Sequence, residues 1–348
     1  MRSSYQALYD FGYSFLSPVL NHYVRQLEKY ATTHRPVCLA REGWIFFKLL
    51  NQLESKGLIQ LPHKPVYLKV SRTLLFRSNL GDPDTWDMAL QSKFKGSVLD
   101  LLKNRFGLQL HEAFGLLPQM LLDFNLTLPD DKAKVIQWLT PHKTRLQEYV
   151  SPTRTGLKHY FKQEQLLDDG PTAIMLDLGY AGTIQKLITK MIDRDTLGLY
   201  FIASAAGDTV ISKKTARMRG VFKENVDWSQ GYLMLERSLL LESLMTAPHG
   251  QVVDIRLRTN NQLDFFYGRA AAPQRYYQDL ETVMQGAIDG VEESFRNGIE
   301  YSVEEVEAIY AGFALSPSAI PSAAFHLFSI DDDFSGNGVI NPTQLFGL

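Results

Sequence analysis

Seven consecutive residues, Asp177-Leu178-Gly179-Tyr180-Ala181-Gly182-Thr183, stand between an apolar run at 172–176 and a helical pattern at 184–193. An acid closes the apolar run, and two glycines bracket a tight turn where positive φ or close backbone approach costs least. Thr183 falls where an N-cap or first-turn residue belongs. Its hydroxyl and the N–H groups of the helix start would donate to a phosphate or carboxylate. Tyr180 and Gln185 lie in the same turn and are grouped with Gly179, Gly182 and Thr183 as ligand-binding candidates, while Asp177 would orient a hydroxyl or a metal-bound water. A short βα turn also uses glycines and a threonine cap with nothing bound, and that is the competing interpretation.

Two arginines repeat the pattern of chemistry at a strand end. Arg41-Glu42-Gly43 follows an apolar run at 37–40, and Ser71-Arg72 follows another at 66–70. Arginine presents a planar fork that fits phosphate or carboxylate through two hydrogen bonds, and Glu42 or Asp177 would hold it in place. Either arginine alone reads as an ordinary surface ion pair of small energy. Taken with the glycine turn, they read as an anion site. Arg41, Glu42 and Asp177 are therefore the catalytic candidates; Gly43, Ser71 and Arg72 join the ligand-binding set, and Mg²⁺ is a candidate cofactor through Asp177.

Other residues carry less. Glu236 and Glu242 sit on a helical pattern at 232–246 beside Leu239, Leu240 and Leu244; a solvated face is expected for them, a buried acid being the alternative. His34, His63, His111, His142, His159, His249 and His326 are scattered without metal spacing, so neither zinc nor haem is expected. Cys38 lies inside an apolar run and reads as core. Asp333, Ser335, Asn337, Gly338 and Ile340 occupy positions 1, 3, 5, 6 and 8 of a calcium loop, but position 12 is Gln344, whose amide cannot supply a bidentate carboxylate; a polar turn is expected over 333–344.

The elements that must position these residues follow from periodicity. Residues 3–33 read as helix in two pieces, with Ser17 as N-cap and Pro18 at the first position of the second piece. Runs at 37–40 and 66–70 with a helix at 44–53 between them make a βαβ unit. Residues 81–165 read as helical and interrupted by Gly107, Pro118, Pro129, Pro141 and Pro152. Strands are predicted at 172–176, 198–204 and 217–222, a helix at 232–245, a hairpin at 252–258 and 263–267, and mostly helix over 274–314. The expected fold is α/β: a Rossmann-like, mainly parallel sheet with a large helical insertion and a helical C-terminal region. Its expected segments are 1–80 (N-terminal helices and first βαβ unit), 81–165 (insertion), 166–270 (second half of the core) and 271–348.

Composition narrows the classes. The chain has 348 residues, 45% hydrophobic, with 36 basic against 38 acidic side chains and one cysteine. So apolar a chain can bury a core and is not disordered. A net charge of −2 offers no general basic surface for nucleic acid. A single thiol cannot form an internal disulfide, and no leader-like or membrane-spanning run is present, so a cytoplasmic protein is expected.

The segments VCLAREGWIFFKLL, VYLKVSR and IMLDLGYAGTIQKL, with FGYSFLSPVL and LLLESLMTAPHG, resemble a bacterial family labelled predicted HAD-superfamily hydrolases. The resemblance covers roughly residues 8–255 and corresponds to the region that follows the HAD domain in larger members, often at surface-polysaccharide loci. It implies a HAD or glycosyltransferase partner, or a scaffold role. A HAD phosphohydrolase needs Asp-x-Asp, one acid as nucleophile and one as acid/base; here Leu178 and Gly179 follow Asp177. The loop order also resembles type I phosphoribosyltransferases, where a basic glycine loop after the first strand binds pyrophosphate and a later acidic Gly/Thr loop cradles a ribose phosphate. Arg41-Glu42-Gly43 and Asp177 to Thr183 occur in that order, the second with one acid where the family has two and about two residues shorter. A methyltransferase is disfavoured, because Ala203-Ser204-Ala205 supplies no acid for ribose hydroxyls. The expected function is binding of a small phosphate-bearing ligand, a nucleotide, sugar phosphate or diphosphosugar, as a phosphosugar transferase, with the phosphohydrolase and the non-catalytic partner module as alternatives.

Overall fold

A computed structural model describes residues 2–348. Strand β1 (His34–Leu39) runs into the helix Gly43–Ser55 and then β2 (Val66–Leu68). A stretch of helices follows, interrupted by the antiparallel pair β3 (Phe94–Ser97) and β4 (Asn125–Leu128). Next come β5 (Thr172–Asp177), the helix Thr183–Ile192, β6 (Thr196–Ala203), β7 (Gly207–Ile211) and β8 (Lys214–Glu224). Two hairpins close the list of strands: β9 (Val252–Leu257) with β10 (Leu263–Tyr267), and β11 (Ile330–Asp332) with β12 (Gly338–Ile340).

The central sheet has the order β2-β1-β5-β6-β8-β7. Every pair in it is parallel except the edge pair β7–β8. This is the α/β, mainly parallel architecture expected from alternating strands and helices. Both faces are covered, which is why the central strands read as continuous apolar runs. Cys38, Ile174, Leu176 and Leu199 pack on one face with the helices Ser17–Ala31, Gly43–Ser55 and Tyr277–Arg296. Val37, Leu39, Ala173 and Met175 pack on the other with Arg72–Ser78, Val98–Phe106, Lys143–Gln163 and Thr183–Ile192.

Several local expectations change. Ser17 does not cap a second helix: its backbone is helical (φ −63°, ψ −39°), and the chain passes through a π-helical turn, Gly12–Leu16, without a break. Side chains at Gly12 and Gly286 would overlap backbone atoms of Val283 and Tyr9, so the N-terminal helices lie directly on Tyr277–Arg296. Strand β2 ends at Leu68, where the Val70 N–H turns back to the Leu68 carbonyl. The expected helix at 232–245 is two short ones, Leu233–Glu236 and Leu239–Leu244. Among the described residues no helix is long and apolar enough to cross a membrane.

Candidate functional site

Successive connections leave β1 toward β2 and β5 toward β6, in opposite directions across the sheet. A crevice must open between the carboxyl ends of β1 and β5, the place where open α/β sheets receive ligands. Arg41, Glu42 and Asp177 stand at those two ends.

Gly43 starts its helix so close to β1 that a Cβ there would overlap the Cys38 carbonyl carbon, and this contact fixes the direction in which Arg41 and Glu42 leave the strand. Arg41 Nε lies 3.9 Å from Glu42 Oε1, both side chains being mostly buried. At the end of β2, Ser71 caps the helix Arg72–Ser78: its Oγ accepts from Leu74 N at 3.0 Å and donates to the Val252 carbonyl at 2.5 Å. Its hydroxyl is therefore committed to the scaffold. Arg72 is exposed, and among the described residues no carboxylate lies within 4.0 Å of it. Its guanidinium carbon sits 4.2 Å from the ring centre of Phe334.

The turn after β5 is pinned along β6. Leu178 and Tyr180 carbonyls accept from Ile202 N and Ser204 N, and Asp177 Oδ1 accepts from Leu178 N at 2.8 Å. A Cβ at Gly179 would come within 2.7 Å of the Ile202 carbonyl oxygen, and one at Gly182 (φ +65°) would overlap Met218 Sδ. Both glycines are thus explained by backbone shape and packing against β6 and β8. Thr183 is the first residue of its helix, following a Gly182 cap that makes no side-chain hydrogen bond. Gln185 faces the core. Its Nε2 donates to Thr196 Oγ1 (3.0 Å) and the Arg217 carbonyl (2.9 Å), and its Oε1 accepts from the Tyr200 hydroxyl at 2.9 Å. Ser71, Gly179, Gly182 and Gln185 are accordingly placed in the scaffold, while Arg41, Glu42, Arg72, Asp177 and Tyr180 gather at the crevice.

The crevice contains a cleft of about 210 Å³, its open mouth included, lined by Arg41, Glu42, Glu242, Thr246, Ala271, Gln274, Ser329 and Ile330. The Tyr180 hydroxyl reaches over and donates to Glu242 Oε1 at 2.8 Å. Burial pushes Glu242 up to about 7; Glu42 adds to the rise, and Tyr180, Arg41 and Arg72 oppose it. Asp177 rises well above the usual carboxylate range for the same first reason, with Glu42 and Glu242 adding to it and the Leu178 N–H and Arg72 opposing. Glu242 therefore exchanges its proton near neutral pH.

Glu242, expected on a solvated face, is instead a wall of the cleft. The signal was present in the run at 239–245, where Leu239, Leu240, Leu241, Leu244 and Met245 flank Glu242, but choosing a buried acid over a solvated one needs the partner Tyr180 from a distant segment. Thr246, Gln274, Ser329 and Ile330 carried no sequence signal at all. Asp177 fits a resident metal poorly, being buried and bonded to its own turn, and among the described residues no group of three His, Cys, Asp or Glu is arranged to hold one. The calcium spacing over 333–344 does not converge either: Ser335 Oγ and Asn337 Nδ2 both donate to Asp332, and Asp333 pairs with Arg269. No protein-family model matches the chain, and no curated protein matches it.

Proposed function

We propose that the crevice between β1 and β5 binds a small phosphate-bearing ligand, with Arg41 and Arg72 supplying positive charge and the Tyr180–Glu242 pair supplying a proton beside it. The observation that carries this reading is the placement of two arginines at the carboxyl ends of adjacent parallel strands, one of them exposed and without a carboxylate partner among the described residues. Transfer chemistry on a phosphosugar fits such a site, because a group that holds a proton near neutral pH serves as acid or base. Attack by Asp177 in the HAD manner is disfavoured: a carboxylate nucleophile must be ionised, and burial opposes that here. A cytoplasmic setting and a HAD or glycosyltransferase partner belong to the same reading.

Thermal unfolding in the presence of inorganic phosphate, pyrophosphate, sugar phosphates, diphosphosugars and nucleotides, each with and without Mg²⁺, tests it. A ligand that binds only the native state raises the midpoint. At least one phosphate compound raises Tm, and Arg41→Ala together with Arg72→Ala removes the rise. Absence of any rise, or a rise untouched by the double substitution, overturns the assignment and leaves the partner-module alternative.

A further inference from the structure

One wall of the cleft is the chain's own C-terminal segment. Ser329 and Ile330 line it together with Arg41 and Glu42, and the next residues are Asp331-Asp332-Asp333-Phe334. Of these, Asp333 and Phe334 lie against arginines. Asp333 Oδ2 is 3.3 Å from Arg269, and the Phe334 ring centre is 4.2 Å from the Arg72 guanidinium carbon and 5.3 Å from that of Arg105. Arg41 and Arg269 act on Asp331 through their charge, with no ion pair to it within 4.0 Å among the described residues. Asp332 faces its own turn, accepting from Ser335 and Asn337.

Asp331 is the informative residue. It is buried, at 5% exposure, yet its Oδ1 has no hydrogen-bond partner. A wall meant to stay closed would place an apolar group there, because a buried acceptor left unmade costs stability. A carboxylate near Arg41 and an aromatic face on Arg72 instead resemble the charge and the flat ring of a bound ligand.

We infer that residues 329–340 form a displaceable strap, in which Asp331 and Phe334 occupy the anion site of Arg41 and Arg72 until a phosphate-bearing ligand takes their place. This inference rests on the phosphate reading of the cleft. It accounts for the small cleft volume: the closed strap fills part of the site, and a ligand must bind the open form well enough to shift the balance. The apparent affinity of the intact protein is lowered by the fraction of molecules whose strap is closed.

Pyrophosphate is the probe. Its affinity is measured by calorimetry on the full chain and on Asp331→Asn, Asp333→Asn, the double variant and Phe334→Ala, and hydrogen exchange of 329–340 is followed with and without saturating pyrophosphate. Expected are an affinity gain of about tenfold in the double variant and faster exchange of the strap when ligand is bound. The asparagine variants keep side-chain size, so the result stands even where Phe334→Ala folds poorly. Equal affinities in the wild type and the asparagine variants, with strap exchange unchanged or slowed by ligand, overturn the strap while leaving the phosphate site intact. No binding by any of the proteins overturns both.

Discussion

The Tyr180 hydroxyl donates to Glu242 Oε1 at 2.8 Å, tying the turn after β5 to the helix Leu239–Leu244 across the cleft. The bond favours the ionised form of Glu242, yet burial and Glu42 outweigh it and hold the group at about 7, above its ordinary 4.5.

That balance sets a sign for stability against pH. Below about pH 4.5 Glu242 is protonated folded and unfolded, and it contributes no pH dependence. Between about 4.5 and 7 the unfolded chain releases its proton while the folded chain keeps it, so stability falls as pH rises and levels off above 7. The loss is on the order of 2 kcal/mol once partial exposure is allowed for. Glu242→Gln removes this component and gains stability relative to wild type from pH 5 to pH 8. Asp177 pushes in the same direction in both proteins, and losing the Glu242 charge lessens its rise, which adds to the same difference. Urea midpoints at the two pH values decide it: parallel changes in the two proteins would show that Glu242 is not the titrating group.

Gln185 separates scaffold from site. Gln185→Leu leaves the Tyr200 hydroxyl without its acceptor and the Arg217 carbonyl without this donor in the core between the helix Thr183–Ile192 and β6, while Thr196 Oγ1 keeps its bond with Thr189. Buried groups left unpaired cost about 1–3 kcal/mol each, so the variant is expected to lose about 3 kcal/mol in denaturant unfolding. Its affinity for a phosphate ligand, measured well below the unfolding midpoint, is expected to stay within about twofold of wild type. Full stability with abolished affinity would move Gln185 back into the ligand set.

The contrast between Asp177 and Glu242 shows where sequence reasoning stops. An acid after four apolar residues and before Gly-x-x-Gly-Thr marks a strand end and a helix start by local chemistry alone, and β5 and its helix follow within a residue of the predicted bounds. The parallel sheet follows from the same alternation, because βαβ connections leave few other arrangements. Glu242 depends on a tertiary contact with Tyr180, 62 residues earlier, and no local pattern encodes that. Gln185 misleads for a related reason: a polar residue in a first helical turn looks available to a ligand, and only the neighbouring strands reveal Thr196, Tyr200 and Arg217 waiting for it. Ser17-Pro18 misleads through a sound local rule, since the pair is a good helix start, but close packing on Tyr277–Arg296 keeps the chain helical through it.

Arg77 carries the positioning of Arg72 from the far end of the same helix. It is 2% exposed, and its guanidinium donates to Glu112 Oε1 and Oε2 at 2.7 and 3.1 Å and to the Gly107 carbonyl at 2.7 Å, with Asp254 Oδ2 at 3.3 Å. Tyr149 donates to Glu112, and Thr153 and Arg256 donate to Asp254, so the helix Arg72–Ser78 is clamped to the helix Lys143–Gln163 and to β9. Burial alone would raise Glu112, but the bonds from Arg77, the Gln109 N–H and Tyr149 bring it down to about 2. The clamp is therefore complete above about pH 4.5 and is lost as pH falls toward 2. Arg77→Met leaves Glu112 buried without its cation and Asp254 with Arg256 alone, and is expected to cost about 3–5 kcal/mol. Adding Glu112→Gln and Asp254→Asn to it recovers part of that loss, because the stranded Glu112 charge is gone and an asparagine at 254 still accepts from Arg256. Denaturant unfolding of the single and triple variants at pH 7 checks both steps. A single variant that loses under about 1 kcal/mol, or a triple variant less stable than the single one, would show that the clamp does not hold the helix that presents Arg72.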